Sequence, residues 1–359
     1  MAPQCYTWIF HLFKQIIGHY YDPNVIKDTL SGRRAQVRDR PLILRYFGRD
    51  YLRLSIIDGE SEKKCNVRGL QALKSAKFVC CCNELVLLKS SSSSPLSACF
   101  VLNPLSEGKI TTVHPPNHRP VDPCGFFFHP LAKEYRILAV RKESRTSYEY
   151  YLYLFGDKSW RRTSNPCFHC LPTYNCTSAS EVNSFPAILN GGLHWYIGTN
   201  RIMVFDMINE EFCVKPLPFE RCYEGRDHLM RDLLVKDDSL CFCHVGCQEG
   251  VMDIWILEDY TNWCWIKKYI VNLDWDIDKY PIKDDLPYDT TLDMLSVISI
   301  HKDELVIFWR FRGMFSYHLV FNSVEKIHLK KSEMDDYSYS RYFDYKLHDF
   351  VAYNVTKSN

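Results

Sequence analysis

The 359-residue sequence predicts a mainly β fold, a kelch-like β-propeller of six or seven blades preceded by a short helical segment. Three observations carry that reading. One phrase recurs along the chain: an apolar strand, a polar turn and a second strand. It appears as Phe100-Val101-Leu102-Asn103-Pro104 leading into Lys109-Ile110, and as Tyr153-Leu154-Phe155-Gly156-Asp157 leading into Trp160. It returns at Met203 to Asp206 before Phe212-Cys213-Val214, at Ile254 to Glu258 before Trp263, and at His318 to Asn322 before Lys326. With Asn103, Gly156, Asp206, Glu258 and Asn322 as markers the steps are 53, 50, 52 and 64 residues, and Asp58 lies 45 residues before Asn103. No helical period intervenes, and hairpins repeating at about 50 residues are the signature of sheets arranged radially about an axis. Aromatic residues make up 14% of the chain, as expected where many short strands pack sheet on sheet.

The elements follow in order. Trp8, Ile9, Leu12, Phe13, Ile16, Ile17 and Tyr20 share one face at helical spacing. Asp22 suits the cap of a second helix, Pro23 its first position, and Val25, Ile26 and Leu30 its inner face, with Gly32 as the stop. Residues 1–32 are therefore read as a helical piece, 33–41 as a basic linker and 42–359 as the β body. Closure of that body is expected between an early strand, Leu42 to Phe47 or Leu52 to Ile57, and a C-terminal one within Phe343 to Val355. Asn190-Gly191-Gly192 reads as a tight hairpin turn, where glycine supplies a positive φ. The 64-residue step leaves six and seven blades both open, because it has room for an insertion such as Asp274 to Asp289.

Charge narrows the function classes. The 44 basic and 43 acidic residues leave a net charge of +1, which argues against a general electrostatic grip on nucleic acid or anionic lipid. No stretch approaches the roughly 18 apolar residues of a membrane span, and no secretory signal opens the chain, so cytoplasm or nucleus is the expected location. There the 16 cysteines stay reduced, and those inside strand-like runs (Cys80, Cys81, Cys82, Cys99, Cys213, Cys241, Cys243) are expected to act as small buried hydrophobes.

Several phrases carry a family resemblance. Phe13-Lys14-Gln15-Ile16-Ile17 followed by Asp22-Pro23-Asn24-Val25-Ile26-Lys27-Asp28-Thr29-Leu30 resembles the C-terminal end of a plant F-box. Downstream, Asn103-Pro104-Leu105, Tyr135 to Val140, Tyr151-Leu152-Tyr153 through Ser159-Trp160-Arg161, Asn190 to Trp195, Val204-Phe205-Asp206 through Lys215 to Pro218, and Asp253 to Tyr260 through Trp263 are similar to the F-box-associated domain of the same proteins, S-locus-type members among them. The ordered set spans most of residues 40 to 330. The resemblance implies a non-catalytic substrate receptor of a Skp-cullin-F-box ubiquitin ligase, with a Skp-type adaptor, a cullin and an unidentified target protein as partners. It implies adaptor contacts from Leu12, Phe13, Ile16, Ile17, Pro23, Val25 and Ile26. Family F-boxes open with a Leu-Pro pair that Met1 to Thr7 does not supply, so the expected alternative is a protein-binding propeller uncoupled from the ligase.

Target binding is expected from loops held by rigid strands. The candidate loops are 114–123, 143–147, 163–181, 220–229 and 274–289, and Arg119, Tyr174, Arg226, His228 and Trp275 are the residue types that most often anchor interfaces. Cys167-Phe168-His169-Cys170 has the spacing of a zinc knuckle, but tetrahedral zinc needs a second converging pair. Cys241 and Cys243 share one strand face while His244 points to the other, so the expectation is free thiols and no metal or other cofactor. No GxSxG, P-loop, HExxH or dinucleotide glycine pattern occurs, which leaves recognition rather than catalysis as the expected role.

Overall fold

A computed structural model describes residues 42–47, 53–58, 61–65, 73, 76–90, 98–105, 110–144, 147–164, 186–197, 201–218, 230–245, 250–275, 279, 295–309, 312–328 and 349–353. The chain divides into two units, Met1–Arg40 with Val355–Asn359, and Pro41–Asn354. The helical segment expected over residues 1–32 lies outside the described residues, among which there is no α-helix and one 3-10 turn, Pro116–His118.

Strands β1 (Leu42–Phe47), β2 (Arg53–Asp58) and β3 (Ser61–Lys64) open the β unit. Five runs of four consecutive strands follow. They are β4 (Ala76–Cys82), β5 (Leu85–Ser90), β6 (Cys99–Leu102) and β7 (Thr111–Val113); β8 (Asp122–His129), β9 (Glu134–Lys142), β10 (Tyr148–Leu154) and β11 (Ser159–Arg162); and β12 (Ala187–Leu189), β13 (Gly192–Ile197), β14 (Arg201–Asp206) and β15 (Phe212–Pro216). The last two runs are β16 (Met230–Lys236), β17 (Ser239–Val245), β18 (Val251–Asp259) and β19 (Cys264–Asn272), and β20 (Leu295–His301), β21 (Glu304–Trp309), β22 (Gly313–His318) and β23 (Ser323–Ile327). Each run is an antiparallel meander, and the C-terminal β24 (Asp349–Tyr353) joins β1, β2 and β3 to complete a further four-stranded sheet.

That last sheet closes the unit as expected. β24 pairs antiparallel with β1, Leu42 opposite Tyr353 and Tyr46 opposite Asp349, so strands from both ends of the chain share hydrogen bonds. First strands of neighbouring sheets lie against each other: β4 with β8, β12 with β16, β16 with β20, and β20 with β24. The first strand of every sheet is therefore innermost and the fourth outermost.

Burial follows this geometry. A sheet flanked by two others hides both faces, so β13 buries every residue, whereas the outermost β11 has none buried. Separate apolar clusters bridge successive sheets. Phe126 and Ile137 pack on Cys80, Leu87 and Val101; Phe127 and Leu138 on Leu193, Trp195 and Phe205; Leu189 and Tyr196 on Leu240 and Phe242; and Ile254 on Val297, Ile307 and Phe315. Each fully buried Phe or Leu contributes roughly 1.5–3 kcal/mol.

All six sequence markers fall at one structural place. Asp58, Asn103, Gly156, Asp206, Glu258 and Asn322 each lie at the turn between the third and fourth strand of a sheet. The 64-residue step is longer because residues 273–294 connect β19 to β20. Three of these turns share one construction. A side chain in the first position, Asp206, Asp259 or His318, accepts the backbone N–H groups of the second and third residues after it, and the fourth residue after it, Glu210, Trp263 or Asn322, has positive φ. Asn190 and Gly191, both at positive φ (48° and 74°), form the expected tight hairpin between β12 and β13.

Most strand cysteines are buried, and burial raises the thiols of Cys80, Cys99 and Cys124 above their usual range, while Cys243 is raised first by its hydrogen bond with Cys241 and then by burial. Cys213 departs from expectation: it is exposed, because it lies on the outermost strand β15.

Candidate functional site

Alternating strand direction divides the connections of these sheets between two ends. Turns joining first to second and third to fourth strands share one end, and they are short: Asn83-Glu84, Asn190-Gly191, Asp237-Asp238 and Lys302-Asp303 are two-residue links. The opposite end carries the second-to-third links and the passages between sheets, where the candidate loops arise. The short-turn end is apolar in places, since Leu105, Leu131, Val320 and Phe321 are 50–76% exposed at their turns. The equivalent tip of the β18–β19 turn carries Thr261 and Asn262 instead, and that of the β14–β15 turn Ile208 and Asn209.

Polar side chains lock neighbouring sheets together. His194 on β13 is fully buried, and its Nδ1 lies 3.0 Å from the Ala187 carbonyl, which only accepts, so Nδ1 carries the proton. Nε2 is then an acceptor for the Tyr260 hydroxyl of the next sheet at 2.8 Å. Burial lowers the imidazole to about 4 and raises the Tyr260 phenol to about 12. Indole N–H groups donate across other boundaries: Trp160 to the His114 carbonyl at 2.7 Å, Trp195 to that of Cys124 at 3.0 Å, and Trp263 to that of Pro216 at 2.7 Å. Glu210, at a β14–β15 turn, binds both Arg136 of β9 and Arg161 of β11. These bonds hold successive sheets in one arrangement, which is what a loop-bearing platform requires.

Arg231 and Asp232 stand side by side on the innermost strand β16. Asp232 accepts the Val297 N–H of β20 at 2.8 Å, and burial raises its carboxyl to about 6 against the pull of that bond. Its neighbour Arg231 turns the other way, over the Tyr196 ring at 5.1 Å, where it hydrogen-bonds the phenol and burial lowers it to about 10. Among the described residues no group of three His, Cys, Asp or Glu side chains is placed to hold a metal ion.

The sequence-predicted residues meet different fates. Arg119 is exposed between β7 and β8, its N–H bonded to the Pro116 carbonyl. Trp275 corrects the expectation. It is only 7% exposed, packs against Trp309, Phe315 and Tyr317, and donates its indole N–H to the Asn272 carbonyl at 2.8 Å. A large aromatic just beyond β19 fills the space between two sheets and offers nothing to a partner. Tyr174, Arg226 and His228 lie outside the described residues, as do Leu12, Phe13, Ile16, Ile17, Pro23, Val25 and Ile26, and the Cys167–Cys170 group. Cys241 and Cys243 face the same cluster with sulfurs 3.8 Å apart, while His244 stacks on Phe242 on the other face. Sequence reasoning missed His194 and Asp232, because a lone polar residue inside a strand gives no sign of its cross-sheet partner.

Four-stranded antiparallel sheets repeated along the chain, closed by the pairing of β24 with β1 and packed through buried cores, define a β-propeller. A family model described as the F-box associated beta propeller domain matches residues 55–345, and the chain belongs to that family. Comparison with curated proteins finds no match. Among solved structures the chain is similar to TolB from Acinetobacter baumannii, with 12% identity and a TM-score of 0.43 over 79% of this chain and 62% of that one. It is also similar to a structural-genomics protein from Bacteroides thetaiotaomicron (11% identity, TM-score 0.38, 79% and 78% covered) and to the dihydro-heme d1 dehydrogenase NirN in complex with DHE (10% identity, TM-score 0.37, 83% and 75% covered). The chain thus spans less than two thirds of the TolB chain.

Proposed function

We propose that this protein is the substrate-recognition subunit of a Skp-cullin-F-box ubiquitin ligase. Its propeller, counted as six blades, holds a target protein, while residues 1–32 dock a Skp-type adaptor through Leu12, Phe13, Ile16, Ile17, Pro23, Val25 and Ile26. It performs no bond chemistry itself. Holding the target near the ubiquitin-carrying partner turns a bimolecular encounter into an effectively unimolecular one, and that is its contribution to rate. Cytoplasm or nucleus is where such an assembly works, and neither membrane nor nucleic acid is a partner.

The observation that carries this reading is the family match over residues 55–345, in a domain associated with F-box proteins. Inter-sheet bonds such as His194 to Tyr260 and Arg136 to Glu210 support it, since a receptor must present its loops on a scaffold that does not yield.

The test is co-expression of the full chain with a Skp-type adaptor, followed by size-exclusion chromatography at micromolar concentration. A stoichiometric complex that Ile16→Asp disperses is expected. No complex, with circular dichroism showing the β unit folded, overturns the ligase reading and leaves a propeller that binds its partner without ligase attachment.

A further inference from the structure

Each of the five consecutive-strand sheets ends in an outermost strand, and four of these edges are short. β7 has 3 residues, β11 has 4, and β15 and β23 have 5 each, whereas β19 has 9. β19 bonds β18 on one side only and pairs with no other strand among the described residues. Alternate backbone N–H and C=O groups along its free side therefore point away from the sheet, a row that an extended chain can match.

The side chains along this edge are specific. Lys267, Lys268 and Ile270 are exposed, Ile270 by 62%. Lys267 is committed to Asp253 at 2.6 Å and lies over the Trp255 ring. Lys268 sits above the ring of its neighbour Tyr269 at 5.7 Å, with no carboxylate partner among the described residues. Register explains its placement: Trp255 faces Lys267 and Ile254 faces Tyr269, so Lys268 is the extra residue of a β-bulge. A bulge re-aims the side chain it carries, and here that side chain is a cation.

Charge decides the occupant. A second copy pairing through β19 would bring two lysine pairs together on adjoining edges, and like charges on neighbouring strands repel. An acidic strand meets the opposite situation, gaining charge-assisted contacts at Lys268 and covering the exposed Ile270. We propose that β19 is a docking edge for an extended, acidic segment of a partner protein, added as a fifth strand to the β16–β19 sheet. This rests on the recognition role proposed above and names the chemistry of what is recognised.

A phage-displayed library of random short peptides, panned on the full chain, tests it. Enriched sequences are expected to carry an acidic and an apolar residue two positions apart, on the one strand face that meets both Lys268 and Ile270. A synthetic peptide from that set should lose about tenfold or more in affinity towards Lys268→Glu and Ile270→Glu. Placing lysines at the peptide's acidic positions should restore binding to the Lys268→Glu chain, which a merely structural effect of the substitution would not do. Methylating alternate backbone nitrogens of the peptide should abolish binding. No enrichment, or peptides that bind both variants as tightly as the parent chain, overturns the proposal. Adaptor co-purification is read separately, so a failed edge and a failed ligase assignment remain distinguishable.

Discussion

The hydroxyl of Tyr260 lies 2.8 Å from Nε2 of His194, and this bond joins two successive sheets through a ring that has no access to water. Burial holds the folded imidazole at about 4 against 6.5 as the ordinary value, so protonation favours the unfolded chain. The stabilisation is complete above pH 6.5 and is lost as pH falls from 6.5 to about 4, by about 3 kcal/mol in total. Urea titrations at pH 7.5 and 4.5 should show that slope in the parent chain and its loss in His194→Gln. Tyr260→Phe leaves Nε2 buried without a donor and should cost about 1–3 kcal/mol at pH 7.5.

Asp232 has the opposite sign. Its folded carboxyl is raised to about 6 from 3.8, so the ionised form is a burden above pH 6 and the chain gains stability from this group as pH falls from 6 to 3.8. Asp232→Asn keeps an oxygen for the Val297 N–H and removes the charge. It should stabilise the protein by about 1–2 kcal/mol at pH 7.5, with the difference vanishing near pH 4. Chemical denaturation at the two pH values checks this, and a destabilised Asn variant at pH 7.5 would contradict it.

Gly125 on β8 permits the close approach of β13. A Cβ there would stand 2.7 Å from Leu193 Cδ1 and 3.4 Å from Trp195 Cζ2, both in a core that has no slack. Gly125→Ala should therefore cost about 1–3 kcal/mol by overpacking, seen as a lower denaturation midpoint with an unchanged slope. Gly156→Ala provides the contrast, because its Cβ would meet only the far end of the Glu134 side chain at a turn outside the core, and a smaller loss is expected there.

Closure is testable by truncation. Removing residues 349–359 deletes β24 and bares the hydrogen-bonding edge of β1. A single melting transition lowered by at least about 5 °C is expected, since several cross-strand bonds are lost together. An unchanged melting curve would show that the pairing contributes nothing to the unit.

Much of the fold is legible in the chain because hairpins are local. Asp206 and Asn103 mark turns through side-chain bonds to backbone groups two or three residues on, and Asn190-Gly191 marks one through its tolerance of positive φ. Strand alternation and the spacing of the markers then fix where sheets begin and end. The candidate binding residues were less legible. Arg119 and Trp275 belong to residue types that anchor interfaces, yet composition says nothing about which way a side chain turns, and Trp275 turns inward.

The order of strands, the turn positions and the closing partner of β1 were thus determined by the sequence itself, through interactions spanning a few residues or through the need to cover a bare edge. Tertiary structure alone decided that His194 meets Tyr260, that Asp232 reaches Val297 and that Trp275 fills a core, because each depends on the registry of sheets whose residues lie far apart in the chain. It also decided that β19 is the long free edge, a property of neighbouring strands rather than of its own nine residues.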